Sequence, residues 1–150
     1  MTAPFLYGIY CDDIRQEVGN KLTFVGIYSG GELIFPIPFP AVIPKLCVVA
    51  TFVYPKSEPP REIEFKVSLE GNEVARAMVQ PPPDHQRSIF DGVEDGYPRR
   101  ATIQASFFLS PLTIEKESIL RLEANVDGTR FFGPRLLLQS QPAKDTSGPQ

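Results

Sequence analysis

The sequence predicts an all-β protein, an antiparallel β-sandwich of the immunoglobulin-like or C2-like kind with about seven to nine short strands. Apolar and polar residues alternate in several segments, as they do in strands with one buried face. The 16 prolines and 11 glycines interrupt the apolar runs about every ten residues, which favours many short elements. Helical periodicity is missing from every window of about twelve residues or more. We expect a single domain over residues 1–139 and a disordered polar tail over residues 140–150.

The first two strands are predicted from β-branched and aromatic residues. Residues 5–11 form the first of them. Residues 12–20 are mostly polar and predict a loop that turns into the next strand. Residues 22–28 form the second strand, which places four residues on one face: Leu22, Phe24, Gly26 and Tyr28.

A glycine turn at 29–31 follows, and residues 33–35 favour a short further strand. Residues 36–44 contain four prolines, which forbid regular ladder pairing and favour an extended path. We interpret this segment as a crossover between the two sheets. The alternative is that its exposed prolines serve as a ligand for a partner protein.

The middle of the chain predicts a central strand and a hairpin. Residues 46–54 are nearly all apolar, which is typical of a strand buried on both faces. Residues 63–69 show the clearest period-two alternation in the chain. Gly71-Asn72 is the predicted turn, and residues 74–79 return as the partner strand.

The last strands are predicted at 103–109 and 120–126, joined by a charged bend. Asp127-Gly128 is a dipeptide typical of primed turns. It leads into a final strand at 130–139, where Gly133-Pro134 predicts a bulge or an edge irregularity.

Composition limits the possible partners. The net charge of −3 has the wrong sign for a domain that grips phosphate backbones, so nucleic acid is not the predicted partner. We expect no signal peptide, because the N-terminus lacks a basic leader and soon reaches Asp12 and Asp13. We expect no membrane span, because no apolar run approaches about 18 residues. Cys11 and Cys47 each lie in an apolar run and are interpreted as reduced core thiols of a cytoplasmic protein. A disulfide would need their α-carbons within about 7 Å.

Antiparallel connectivity predicts one working end. Loops two connections apart lie at the same end of a sandwich, so loops 55–61, 81–100 and 127–129 should share it. Loops on a rigid scaffold often carry binding residues, although any solvated rim would contain the same residue types. The candidate binding residues of this end are Asp84, His85, Arg87, Asp91, Glu94, Asp95, Tyr97, Arg99 and Arg100.

No catalytic signature is present, and no cofactor is predicted. The single histidine, His85, has no nucleophile motif beside it. A hydrolase that uses loop carboxylates remains an alternative, which requires His85, Asp91 and Asp95 to line one pocket. A second alternative is a calcium-dependent binding end, because Ca²⁺ prefers oxygen ligands. Its candidate ligands are Asp91, Glu94, Asp95 and Asp127.

Two phenylalanine pairs each predict one ring in the core and one on an outer face or under a neighbouring segment. Adjacent residues of a strand point to opposite faces, so one ring of Phe107-Phe108 and one ring of Phe131-Phe132 should leave the core. If both outer rings are exposed, they mark apolar patches suited to a partner or to a second copy.

The N-terminal block reads Tyr10-Cys-Asp-Asp-Ile-Arg-Gln-Glu-Val-Gly-Asn-Lys21, followed by Val25-Gly-Ile-Tyr28 and Pro44-Lys-Leu-Cys47. It resembles an uncharacterised bacterial and phage domain family over about residues 5–139. The resemblance implies a small cytoplasmic β-sandwich and no known activity.

Within that block, four charged residues directly follow a predicted strand: Asp12, Asp13, Arg15 and Glu17. The simplest interpretation is that Arg15 pairs with Asp12 or Asp13 and ties the loop down. The alternative is a recognition surface built on this loop. The sequence as a whole therefore favours a non-enzymatic binding or scaffold module that acts through protein–protein contacts, with self-association as one form of it.

Overall fold

The computed structural model describes residues 3–81 and 95–141, and every regular element in these ranges is a β-strand. The all-β prediction is confirmed, with more strands than the sequence predicted. The eleven strands of the described ranges are β1 Phe5–Glu17, β2 Lys21–Ile27, β3 Glu32–Phe35, β4 Ala41–Ile43, β5 Leu46–Pro55, β6 Ile63–Leu69, β7 Asn72–Val79, β8 Arg100–Leu109, β9 Leu112–Ile114, β10 Ser118–Val126 and β11 Thr129–Ser140.

The strands form two main sheets and one small one. The four-stranded sheet has the order β2-β1-β5-β8, and the five-stranded sheet has the order β3-β11-β10-β6-β7. All pairs are antiparallel except β3 with β11, which is parallel. The four-stranded sheet is antiparallel, as predicted, and the five-stranded sheet is mixed. The parallel pair arises because the chain reaches β3 by crossing between sheets and not through a hairpin.

The core lies between the two main sheets. Residues 46–54 of β5 are all buried, as predicted for a strand covered on both faces. In β6 and β10 every second residue points inward, which follows the alternation in the sequence. The largest fully buried side chains include Phe52, Phe65 and Leu122.

The predicted loop at 12–20 is wrong. β1 continues to Glu17 and pairs with β2 as far as Lys21, so only residues 18–20 form the turn. Gly19 and Asn20 both take positive φ there, as their residue types allow. Polar residues can extend the strand because β2 is an edge strand and this hairpin is largely exposed, so their side chains stay in solvent.

The proline-rich segment contains a short strand that the sequence did not predict. β4 pairs with β9, which lies inside the predicted charged bend. Ala41 and Ile43 of β4 and Leu112 and Ile114 of β9 join the core. The crossover is thus anchored by apolar side chains between its prolines.

Two turns and the C-terminal region refine the predicted boundaries. Positive φ at Glu70 and Gly71 places the hairpin turn one residue earlier than Gly71-Asn72, whereas the turn at 127–128 has the predicted positive φ at both residues. β11 runs to Ser140, and the amide of Gln141 donates to the carbonyl of Phe35 at 2.8 Å. The last strand therefore ends one residue beyond position 139. Residues 142–150, which the predicted tail includes, lie outside the described residues.

Candidate interaction surface

The outer face of the four-stranded sheet carries apolar side chains on β1, β2 and β5, and the uncharged polar residues Thr102, Gln104 and Ser106 on β8. Because β5 alternates, Cys47, Val49, Thr51 and Val53 point away from the core between the sheets, yet all four are buried. Each of them lies between its paired residue on β1 and its paired residue on β8, because β5 is a central strand. No charged side chain stands among them.

Exposed apolar side chains surround this centre. Phe5 and Tyr7 lie opposite Val53 and Thr51, with their own ring centroids 6.3 Å apart. Ile27 lies opposite Cys11, and Phe108 lies opposite Cys47, so both belong to the same face. We call these four side chains, which are 41–54% exposed, the outer patch: Phe5, Tyr7, Ile27 and Phe108.

One border of the outer patch is an ion pair. Lys45 Nζ lies 2.5 Å from Asp13 Oδ1 and 5.3 Å from the centroid of the Phe108 ring. The hydrogen bond from Lys45 holds the pKa of Asp13 below its usual range. Arg15 Nε is 4.0 Å from Asp13 Oδ2. The predicted pairing of Arg15 with Asp13 is therefore present at the distance limit, while the closer partner, Lys45, was missed because it is distant in the sequence.

Asp12 has a different role. The hydroxyl of Tyr28 donates to Asp12 Oδ1, and a Cβ at Gly26 would lie only 2.3 Å from Asp12 Oδ2. Gly26 also has a φ of 68°, which favours glycine. Glu17 accepts a hydrogen bond from the hydroxyl of Thr23 at 3.1 Å. Asp12 and Glu17 thus stabilise the hairpin of β1 and β2 through side-chain hydrogen bonds. Gly26 leaves the space that the carboxylate of Asp12 occupies.

The two cysteines face each other across β1 and β5. Both are buried, and both are free thiols. Burial raises the pKa of Cys11 to about 11 and also raises the pKa of Cys47. Both groups are therefore neutral thiols at physiological pH. They are buried as predicted, but on the outer face of the four-stranded sheet and not in the core between the sheets.

The described parts of the predicted working end do lie together. The amide of Lys56 donates to the carbonyl of Arg99 at 3.1 Å. Asp127 accepts hydrogen bonds from the amides of Arg61 and Glu62 at 3.0–3.2 Å. Its carboxylate therefore ties two loops together.

Only part of the candidate set at this end is described. Asp95 accepts from the amide of Tyr97 at 3.0 Å, which lowers the pKa of Asp95, and Arg99 Nη2 lies 3.4 Å from the same carboxylate. Tyr97 is exposed, and Arg100 begins β8. The remaining candidates lie outside the described residues: Asp84, His85, Arg87, Asp91 and Glu94.

The described residues of this end form a cavity but no metal-binding cluster. Among the residues of 3–81 and 95–141, no group of three His, Cys, Asp or Glu side chains could hold a metal ion. A cavity of about 320 Å³ opens between the sheets here, lined by Phe52, Tyr54 and Phe131 together with Glu58 and Asp127. Of the predicted site residues that the structure describes, Asp127 lines this cavity. Glu58 belongs to loop 55–61, which the sequence placed at the same end.

Comparison with known proteins gives one match. Residues 6–132 match the model of a protein family described as a family of unknown function (DUF6941). No curated protein and no solved structure matches the chain. The described part of the chain contains no helix long and apolar enough to cross a membrane.

Proposed function

The chain belongs to DUF6941, a family of unknown function, and we propose that it is a non-enzymatic scaffold module that acts through protein–protein contacts. Its contact surface is the outer face of the four-stranded sheet, and the partner surface is the same face of a second copy. A reducing, cytoplasmic compartment is part of the proposal, which the two free buried thiols support.

One observation carries the proposal: the outer patch places two aromatic rings of one strand and a third ring two strands away on a single sheet face. Phe5, Tyr7 and Phe108 are each about half exposed, while the residues between them on β5 are buried and uncharged. Exposed aromatic side chains on a face without charged residues are typical of the centre of protein interfaces. Single exposed apolar residues would need no such explanation.

The charges at the border favour a second copy as the partner. Asp13 and Lys45 neutralise each other within one chain, so the border presents no net charge from this pair. Two such faces can meet about a two-fold axis without placing like charges opposite each other. The outer face of the five-stranded sheet differs, because its exposed Met78 and Phe132 lie directly opposite the charged residues Glu64 and Glu123.

Size-exclusion chromatography with light scattering tests the proposal. The full-length chain should have the mass of a dimer at high micromolar concentration and dissociate on dilution. Phe108→Ser should remain a folded monomer, because it replaces an interface ring with a polar side chain. Phe132→Ser is the matched control, since Phe132 is exposed on the other sheet and should leave the dimer intact.

Two results would contradict the proposal. The first is a monomer at every concentration up to near-millimolar. The second is a dimer that survives Phe108→Ser combined with Tyr7→Ser, with unchanged far-ultraviolet circular dichroism. In the second case the chains associate through another surface.

A further inference from the structure

We propose a second, separate binding site: a cleft on the outer face of the five-stranded sheet that takes a small organic anion, a phosphate or carboxylate joined to a planar apolar group. Arg121 and Arg135 bind the anionic group, and the ring of Phe132 contacts the apolar group. The site does not depend on the outer patch, which lies on the other sheet.

The cleft results from a bulge in β11. Arg121 pairs with Arg135 and Glu123 pairs with Phe132, so β11 has one more residue than β10 in this interval. The extra length is at Gly133 and Pro134, opposite Leu122. The depression that it leaves has a volume of about 350 Å³ and is lined by Arg121, Phe132, Gly133, Pro134 and Arg135. Bulges of this kind commonly redirect side chains beside functional sites.

The two arginines form an unfavourable pair in the free protein. They lie directly opposite each other on neighbouring strands, where like charges destabilise a sheet. Both are exposed, and within the described part of the chain neither has an acidic partner. An anion held between them would remove this repulsion.

The other cations of this face are already paired. Arg130 Nη2 lies 2.7 Å from Glu123 Oε1, and Lys66 Nζ lies 3.9 Å from Glu123 Oε2. Arg76 pairs with Glu73 at 2.6 Å. Glu123 is therefore the only acid lining the cleft among the described residues, and two cations neutralise it. The cleft remains positive in a chain whose net charge is −3.

The chemistry of the walls defines the ligand class. A guanidinium is a planar fork whose donors match the oxygens of a phosphate or a carboxylate. Phe132 is 67% exposed, and the guanidinium carbon of Arg130 lies 4.9 Å from its ring centroid. This cation–π contact orients an aromatic surface beside the two arginines. A small aromatic anion satisfies both features, whereas a polynucleotide would need a longer basic track.

Binding of phenyl phosphate at low salt tests the site. Isothermal titration calorimetry or chemical-shift perturbation measures this binding. We expect saturable binding to the full-length chain, weaker binding of inorganic phosphate and no binding of phenol. Benzoate distinguishes the carboxylate from the phosphate form of the ligand. Arg121→Gln and Arg135→Gln should each weaken binding roughly tenfold, as expected for the loss of a charge-assisted hydrogen bond.

Arg76→Gln is the matched control, because it removes the same charge from the same sheet face outside the cleft. It should leave the affinity for phenyl phosphate unchanged. Equal losses in all three variants would show general charge attraction and overturn the site. Unchanged affinity in Arg121→Gln and Arg135→Gln would overturn the role of the arginines. Equal affinities for inorganic phosphate and phenyl phosphate would overturn the role of Phe132.

Discussion

The hydroxyl of Tyr10 in the four-stranded sheet donates a hydrogen bond of 2.6 Å to the carbonyl oxygen of Pro134 in the five-stranded sheet. Tyr10 is buried, and burial raises its pKa far above the usual value. The bulge in β11 interrupts the ladder beside Pro134, so the tyrosine hydroxyl supplies the donor that a neighbouring strand would otherwise provide. One phenol thus joins the two layers and fixes the bulge.

Tyr10→Phe should therefore lower the free energy of unfolding by about 1–2 kcal/mol, because the Pro134 carbonyl loses its donor. Urea denaturation measures this change. Tyr7→Phe is the control, since the exposed Tyr7 makes no hydrogen bond through its side chain among the described contacts and should shift the midpoint very little. Equal effects of the two variants would mean that the inter-sheet bond adds no stability.

The ion pair between Asp13 and Lys45 predicts a pH dependence of stability. The hydrogen bond from Lys45 lowers the pKa of Asp13. The stability that this ion pair contributes is therefore present above the unfolded pKa of about 3.9, and it is lost as the pH falls through the folded pKa of Asp13. The same bond raises the pKa of Lys45. The contribution of the ion pair to stability is therefore lost above about pH 10, where Lys45 loses its charge. Asp13→Asn should lower the melting temperature at neutral pH and have no effect at about pH 2.

Lys45→Met combined with Asp13→Asn completes this test. The double variant should be no less stable than either single one at neutral pH, since both remove the same interaction. Additive losses would show that Asp13 and Lys45 act independently. The size of the effect should be small, because both groups are exposed.

Calcium should leave the melting temperature unchanged. Of the four candidate ligands, Asp127 already accepts bonds from two backbone amides and Asp95 pairs with Arg99. The other two, Asp91 and Glu94, lie outside the described residues. Thermal melts with millimolar Ca²⁺ or with EDTA measure this directly. A rise in melting temperature that is reversed by EDTA would support the calcium-dependent alternative.

The cysteines should resist thiol reagents in the folded state. Burial raises the pKa of Cys11 to about 11 and raises that of Cys47, so the thiolate fraction at pH 8 is low and access is restricted. Ellman's reagent should report neither thiol in the native chain and both in guanidinium chloride. Rapid labelling of the native chain would contradict the burial of this pair.

Local patterns in the sequence predicted the strands better than their ends. The inward residues of β6 and β10 follow period-two alternation, and that alternation requires only local information. The extension of β1 to Glu17 was not predictable in the same way, because those polar residues pair at an exposed edge. The strand β4 was missed since its prolines suggested an unpaired path, while its partner β9 is distant in the sequence.

The candidate surfaces depend even more on long-range contacts. The sequence predicted that one ring of Phe107-Phe108 and one of Phe131-Phe132 would leave the core, and Phe108 and Phe132 do so. It could not show that Phe108 joins Tyr7 on one sheet face, because that depends on the order of β1, β5 and β8. Likewise, the bulge at Gly133-Pro134 was predicted from the sequence. That Arg121 and Arg135 are paired across β10 and β11 was not predictable, because it depends on the register of the two strands.

Gly8 shows how closely the two sheets approach near the bulge. A Cβ at Gly8 would lie 2.5 Å from Leu122 Cδ2 and 3.3 Å from the carbonyl oxygen of Val49. Leu122 is buried and also lies 3.0 Å from the position of a Cβ at Gly133, so its side chain has little freedom to move away. Gly8→Ala should therefore destabilise the fold by about 1–3 kcal/mol through overpacking.

Denaturation of three variants separates overpacking from a backbone effect of alanine. Gly30→Ala is the control, because a Cβ there meets nothing within 4 Å and Gly30 has no positive φ. It should leave the free energy of unfolding nearly unchanged. Leu122→Ala leaves a cavity on its own, but the added methyl of Gly8→Ala should cost less in that background than in the native chain. If the cost of Gly8→Ala is the same in both backgrounds, contact with Leu122 is not its cause.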